Sequence, residues 1–461
     1  VNTAFRQETR AGRLELESGI ALALVSFRGA EHLNALFEYE LDCVSADGAV
    51  DFDALLGTHA SVILKSYDAS ETPFDGIVTE ARWLGPGADG HVFRLQLRPW
   101  FWLASRRRNQ RIFHNKTAPQ ILSELLSSYL DAGRMVDRLR GDYPQLEYTV
   151  QHRETDLAFA CRLMERHGIS YHFEHAPLSH DMVLTDRAED HADIGPRPFH
   201  PHEGHHRGEP EEHFWDWQPA RRVTTGAVKL TDYNFKTPNA AMLSEAMGDA
   251  EYSQGQIESF DWPGDHPDPA RGKLVASLRM QAERGQDRRF SAEGDVIGLR
   301  AGARVTLSGD KVPGTGGAYL CLTAVHSYAA NRYGSGGGDD GAAHRAQFTL
   351  LPAEAPMVPE LKTPLSLAPG PQTARVVGEG EIDCDDYGRI LVQFPWDLDG
   401  AWSMRCRVSQ NWGGNGWGGM VIPRIGMEVI VEFLDGDPDK PIVTGCVYNG
   451  KNDTPYPLPE H

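Results

Sequence analysis

Short runs in which apolar and polar residues alternate dominate the chain. Ile169, Tyr171 and Phe173 interleave with polar neighbours, residues 92–97 read VFRLQL, and Met427, Val429, Val431 and Phe433 alternate with Glu428, Ile430 and Glu432. A period of two sends successive side chains to opposite faces, so each run predicts a strand. The run 19–27, GIALALVSF, is apolar almost throughout and predicts a buried strand. It is too short to cross a bilayer, which takes about 20 residues. Forty-seven glycines and 29 prolines punctuate these runs, as many short strands require.

Three stretches carry helical spacing instead. Thr117 is placed to cap a helix with Pro119 in its first turn, and Ile121, Leu122, Leu125, Leu126, Tyr129 and Leu130 follow at helical intervals, with Gly133 as a stop. A second helix starts near Thr155 with Leu157, Cys161 and Met164 on one face and ends at Gly168. A third covers 270–284, with Leu274, Val275 and Leu278 as its apolar stripe and Gly285 after it. Each stripe predicts a core contact.

Between the elements, 191–212 is crowded with His, Pro, Glu and Gly and predicts a loop, and GSGGGDDG at 334–341 predicts a flexible hairpin tip. Prolines 352, 356, 359, 364, 369 and 371 predict a stiff linker and the main domain break. After it, 374–449 is a block of short strands and tight turns. Asp435 to Lys440 forms one such turn and the Gly-rich 411–419 another. Five or so short strands around one core predict a small closed barrel of the OB kind.

Composition narrows the function. Lys plus Arg is 45 and Asp plus Glu is 65, so the formal charge is −20. Such a surface repels phosphate backbones and argues against nucleic-acid binding. The six cysteines, Cys43, Cys161, Cys321, Cys384, Cys406 and Cys446, form no CxxC pair and no zinc-finger spacing. They predict free thiols of a protein folded in a reducing cytosol. The opening residues show no basic stretch followed by an apolar one, so no secretory signal is read there.

The block at 374–449 carries more than spacing. DYGRILVQFPWD, followed by RVSQNWGGNGWGGMVIPRIGMEVIVEFLDGDPDKPIVTGCVYN, resembles the OB block of VgrG proteins and contractile-phage spikes. Asp386, Tyr387, Gly388 and Arg389 match the entry strand; Pro423, Arg424, Gly426, Glu428 and Val429 match the next signature; Gly436, Asp437, Pro438 and Pro441 match the hairpin. Upstream, 27–45, 98–122, 152–175 and 230–238 resemble further segments of the same family. The resemblance implies a mainly β chain: two tube-type β-barrels with an α/β insertion, as in phage hubs, followed by a C-terminal OB-fold barrel. The implied domains are a first hub barrel at 1–105, an inserted α/β module at 106–222, a second hub barrel at 223–355, a Pro-rich linker at 356–373, the OB fold at 374–449 and the start of a needle neck at 450–461. It also implies a secreted homotrimer on the hexameric tube of Hcp, with a PAAR tip protein and effectors carried through a needle beyond residue 461.

Candidate chemistry is sparse. His202, Glu203, Gly204, His205 and His206 spell HEGHH, which binds zinc in peptidases only when both histidines share one helix face. Pro201, Gly204, Gly208 and Pro210 argue for a loop instead. Gly414, Gly416 and Gly419 satisfy GxGxxG, but MVIP, a strand ended by proline, follows where a dinucleotide site needs a helix. Arg106, Arg107, Arg108 and Arg111 form a basic run expected to solvate beside Trp100 and Trp102. Asp385–Asp386 and Asp339–Asp340 lie in turn-like contexts. The resemblance therefore implies a structural spike of the type VI secretion system, and the residues themselves give no expectation of catalytic, cofactor or metal sites. The alternatives are the hub-spike of a phage-like contractile particle, and a metal-dependent hydrolase acting through HEGHH or a further domain.

Overall fold

The structure, a computed structural model, describes residues 5–203, 208–330, 333 and 343–460. The chain divides into two compact units. One comprises Val1–Leu103, Leu126–Gly141 and Met164–Leu361; the other comprises Ala104–Leu125, Asp142–Leu163 and Lys362–His461. The last crossing, between Leu361 and Lys362, falls inside the Pro-rich stretch.

The first unit opens with six antiparallel strands: β1 (Gly12–Leu16), β2 (Ala23–His32), β3 (Glu38–Ser45), β4 (His59–Lys65), β5 (Glu71–Pro86) and β6 (His91–Arg98). They pair in the order β1-β4-β5-β6-β3-β2, so β1 and β2 stand at the two ends of this run, and β2 goes on to pair with Ala318–Ala329. One side chain joins those ends. The Gln7 carboxamide oxygen accepts from the backbone N–H of both Leu14 and Leu24, each at 2.9 Å. Its amide nitrogen faces the carbonyls of Leu14 and Leu22, each at 3.4 Å. A side-chain amide thus spans the gap between β1 and β2, for which no backbone pairing is found among the described residues.

The second barrel closes by backbone alone. Strands Ala318–Ala329, Arg304–Gly309, Asp193–Phe199, Phe214–Arg221, Arg288–Gly294 and Ala343–Pro352 form a ring, since Ala343–Pro352 pairs back to Ala318–Ala329. Two of its six strands lie upstream of residue 223, where the sequence placed the start of this barrel, and Asp193–Phe199 runs through the stretch read as a loop. Its prolines 196 and 198 hid it: they remove N–H donors, and towards Phe214–Arg221 the strand pairs only at Phe199 with Phe214. Ala318–Ala329 is shared between the barrels. Its residues 318–320 pair with 304–306, and 323–329 pair with 26–32 of β2. Phe214, Val305, Leu307, Cys321 and Leu350 fill the second barrel.

Arg300 locks the barrels to each other. It donates to Glu31 on β2, at 2.5 Å, to the Tyr39 hydroxyl on β3, at 2.8 Å, and to the Pro73 carbonyl on β5, at 2.7 Å, while its guanidinium lies 4.3 Å from the Phe74 ring centre. Burial works against the arginine charge, but Glu31 outweighs it and holds the guanidinium ionised.

Within the second unit, strands Gln372–Val377, Leu391–Gln393, Arg407–Val408, Glu428–Phe433 and Pro441–Val447 form the OB sheet. Its two edges meet at a single bridge, Ile390 with Cys406, so this barrel closes too. Val376, Val392, Phe394, Val429 and Val431 are its core. The hairpin of Arg108–Thr117 with Gln145–Thr155 joins the same unit: Asp439 accepts from the Val150 N–H at 2.7 Å, and the His114 ring reaches the Ala401 and Trp402 carbonyls at 3.0 Å. The 420–422 run, expected as a strand, is irregular, with Met420 and Val421 exposed.

The helices fall where spacing put them, with different buried faces. α1 (Ala118–Leu126) starts on a reciprocal cap in which Thr117 and Gln120 each bind the other's backbone N–H. Leu130 lies beyond the helix and is exposed. α2 (Asp156–His167) buries Phe159, Ala160, Leu163 and Met164, while Leu157 and Cys161 are half-buried. α3 (Pro269–Arg284) is capped by Asp268 and buries Gly272, Ala276 and Met280, leaving Leu274 exposed. Small residues are needed there because a Cβ on Gly272 would come 2.1 Å from the Ser244 hydroxyl.

Candidate functional site

Among the described residues one group of histidines and carboxylates is close enough to hold a metal: His59, Asp75 and His180. Strand geometry gathers it. His59 heads β4, Asp75 points inward from β5, and His180 comes from the strand Ser179–Thr185, whose hairpin partner carries His175 opposite it. Asp75 Oδ2 lies 2.8 Å from His59 Nδ1 and 2.7 Å from His180 Nδ1, and Asp75 Oδ1 accepts from the Ser61 hydroxyl at 2.7 Å.

Hydrogen positions decide what this group does. The Trp100 N–H donates to His180 Nε2 at 2.9 Å, so that nitrogen is bare and the ring's proton sits on Nδ1, aimed at Asp75. No lone pair remains on His180 Nδ1 for a metal. His59 Nε2 faces the Ala132 carbonyl at 3.0 Å, and its Nδ1 faces Asp75; both partners only accept, so His59 carries two protons and a charge. Burial pushes the His59 pKa down, but the hydrogen bond and charge of Asp75 outweigh it and raise it. Burial likewise pushes Asp75 up, and the bonds from His180 and His59 bring it below the usual carboxylate range. His180 itself is lowered by burial. The arrangement stores a charged pair inside the first unit, with Asp75 and His180 buried and His59 half-buried.

The motifs singled out in the sequence disperse. Of HEGHH, Gly204, His205 and His206 lie outside the described residues. Glu203 forms a two-pronged ion pair with Arg345, and the His202 carbonyl lies 3.1 Å from His213 Nε2. Gly414 and Gly416 sit in a two-stranded hairpin, Gly413–Gly414 with Trp417–Gly418, and Gly419 follows it with no helix beyond. In the basic run, Arg111 reaches both oxygens of buried Asp156 at 3.1 Å, with Arg107 at 4.0 Å. Trp100 is buried against Gly133, where a Cβ would come 2.1 Å from its ring, and Arg98 covers Trp102. Asp385 accepts from the Tyr387 and Arg389 backbones, which makes it a turn residue; Asp339 and Asp340 lie outside the described residues. All six cysteines are free thiols. Cys43, Cys321 and Cys406 are buried, and burial pushes the Cys406 thiol up to about 12; Cys384 and Cys446 are exposed. Sequence reasoning missed the His59 group because its members are far apart in the chain and each sits among other polar residues of its own strand, with no local spacing to single it out.

Two barrels sharing a strand, followed by an OB barrel, are the plan of a tail hub joined to an injector. Residues 30–332 match the family described as the phage tail baseplate hub (GPD), and residues 372–448 match the type VI secretion system/phage-baseplate injector OB domain. The chain is 36% identical over 469 residues to the type VI secretion system spike protein VgrG1b of Pseudomonas aeruginosa, covering 99% of this chain and 62% of that protein. VgrG1a of the same bacterium is also 36% identical, over 95% of this chain and 69% of its own length. The chain belongs to the VgrG family of type VI secretion spike proteins. It spans less than two thirds of the length of VgrG1b. The fold of the E. coli c3393 protein, described as a component of the type VI secretion system, superposes with a TM-score of 0.68 at 20% identity, over 94% of this chain and all of that one.

Proposed function

We propose that this chain is the hub and neck of a type VI secretion spike, a rigid threefold body that pierces a target envelope and carries tip and effector proteins. The observation that carries this reading is the pair of hub barrels followed by an OB barrel in a chain so similar to named spike proteins. Three copies of a two-barrel hub place six barrels around one axis. Such a base matches the sixfold ring of an Hcp tube, and a closed cyclic trimer leaves no surface free to propagate. The proposed hub barrels are those of residues 1–105 and 223–355, the latter with the strands at 193–221, and residues 450–461 lead towards a needle that receives a PAAR tip. The chain folds in the bacterial cytoplasm and leaves with the secretion apparatus; among the described residues no helix is long and apolar enough to cross a membrane. We read the role as mechanical rather than catalytic, and the ion pair of Glu203 with Arg345 supports that reading.

The test is genetic. In a strain of the source bacterium stripped of its other spike genes, deleting this reading frame should abolish Hcp release and killing of prey, and restoring it should recover both. Undiminished Hcp release in the deletion strain would refute the reading.

A further inference from the structure

The hairpin at 411–421 presents its largest side chains to solvent. Trp412 is 65% exposed, Trp417 58%, Met420 67% and Val421 68%. The two indoles meet edge to face, with ring centres 5.0 Å apart at 74°.

This exposure is built into the backbone. A Cβ on Gly414 would come 2.5 Å from the Trp417 ring, one on Gly418 2.4 Å from the Trp412 carbonyl, and one on Gly419 2.4 Å from the Asn411 side chain. Gly416 and Gly418 hold φ of 77° and 130°, which side-chain-bearing residues rarely adopt. At the base, the Gln410 carboxamide clamps Val421 from both sides, accepting its N–H at 2.8 Å and donating to its carbonyl at 2.9 Å. A flexible loop could fold its tryptophans inward; this clamped one holds them out.

Charge identifies the occupant. No Asp, Glu, Lys, Arg or His occurs from 408 to 423, in a chain of formal charge −20. Copies of so acidic a protein repel one another wherever charged surface meets. They approach at lowest cost across neutral, apolar surface, and this hairpin supplies it. Two tryptophans at this exposure offer roughly 250 Å². That is about a third of the ~800 Å² which a specific interface takes from each partner. The hairpin is therefore an anchor within a larger contact, the position where tryptophans dominate binding.

We propose that the 411–421 hairpin is a self-docking element whose Trp412–Trp417 pair seats against a second copy of this chain. The inference rests on the threefold reading above and adds to it the residues that hold the copies together.

Sedimentation across the micromolar range tests it, with wild type, W412S, W417S and, as a control at another exposed apolar residue, L398S. Each tryptophan variant should raise the dissociation constant on the order of 30-fold, and L398S should leave it unchanged. Circular dichroism and the thermal midpoint check folding. In wild type, hydrogen exchange at the 411–421 amides should slow with assembly, a readout that requires no variant. If wild type assembles and both tryptophan variants assemble equally well, the inference fails while the threefold reading stands. A wild-type chain that stays monomeric overturns self-docking by this hairpin, and the threefold reading falls only if the chain extended by a needle is monomeric too. A blue shift of indole emission on adding anionic phospholipid vesicles to monomeric protein would assign the hairpin to a membrane and overturn self-docking.

Discussion

Asp75 keeps its charge without any exposure because two histidines and a serine donate to it. The pH dependence follows from the signs. The raised His59 pKa contributes stability that is complete below the ordinary value of 6.5 and is lost as pH rises through the raised value. The lowered Asp75 pKa contributes stability present above the ordinary value of 3.8 and lost as pH falls through the lowered one. The pair is therefore at full strength between these two ordinary values. Replacing Asp75 with Asn should cost about 3 kcal/mol in that window, because a buried ion pair broken on one side leaves a charge stranded. The gap from wild type should narrow at alkaline pH, as thermal midpoints measured against pH would show. Buried neutral histidines act in the opposite sense. His326 and His344 are each pushed down to about 3 by burial, so the wild-type first unit should lose stability as pH falls below 6.5 and level off only near 3. A midpoint flat from pH 7 to pH 4 would contradict this.

The strand systems are held by a few connections, and each can be cut. Changing Gln7 to Leu removes the acceptor shared by the Leu14 and Leu24 N–H groups and should cost about 1–3 kcal/mol. A guanidinium unfolding midpoint unchanged from wild type would show that the first barrel holds without it. Changing Arg300 to Met should cost more, about 3–5 kcal/mol, because Glu31 is then buried without its partner; adding Glu31→Gln should recover part of the loss. Much of this architecture was legible beforehand, for reasons that differ between elements. The OB barrel showed itself because its strands are short, alternating and separated by Gly, Asp and Pro turns. Thr117 and Pro119 marked α1 through capping chemistry that is local to the sequence. For α3, periodicity pointed to Leu274, Val275 and Leu278, whereas close packing on a sheet selects Gly272, Ala276 and Met280 for their small or pliable side chains. The Asp193–Phe199 strand and the Gln7 bridge were invisible, since both depend on partners distant in sequence. The His59 group was hidden for the same reason: its chemistry exists only once β4, β5 and the 179–185 strand are side by side.

Net charge sets the terms for the whole molecule. Three copies at −20 each, as proposed above, would assemble against their own repulsion. Added salt screens that repulsion, since the Debye length falls from about 30 Å at 0.01 M to about 8 Å at 0.15 M. Trimer formation should therefore strengthen as salt rises, the reverse of an assembly held by ion pairs, and sedimentation at two ionic strengths distinguishes them. Limited proteolysis should cut first in the Pro-rich 352–371 stretch, and early cleavage within either unit's described strands would argue against the division near Leu361. The strand shared by the two barrels, Ala318–Ala329, bears on the load that the proposed piercing role would impose. It is gripped along one flank by 304–306 and by β2, and along the other by Ala343–Pro352. A load applied along this strand cannot peel its hydrogen bonds away one at a time; it must shear two ladders at once. Resistance to such a load is set by the unfolding rate rather than by equilibrium stability. An optical-trap pull applied parallel to this strand should therefore need far more force than one that unzips the Gly413–Gly414 hairpin, and the hub should be the last part of the chain to yield.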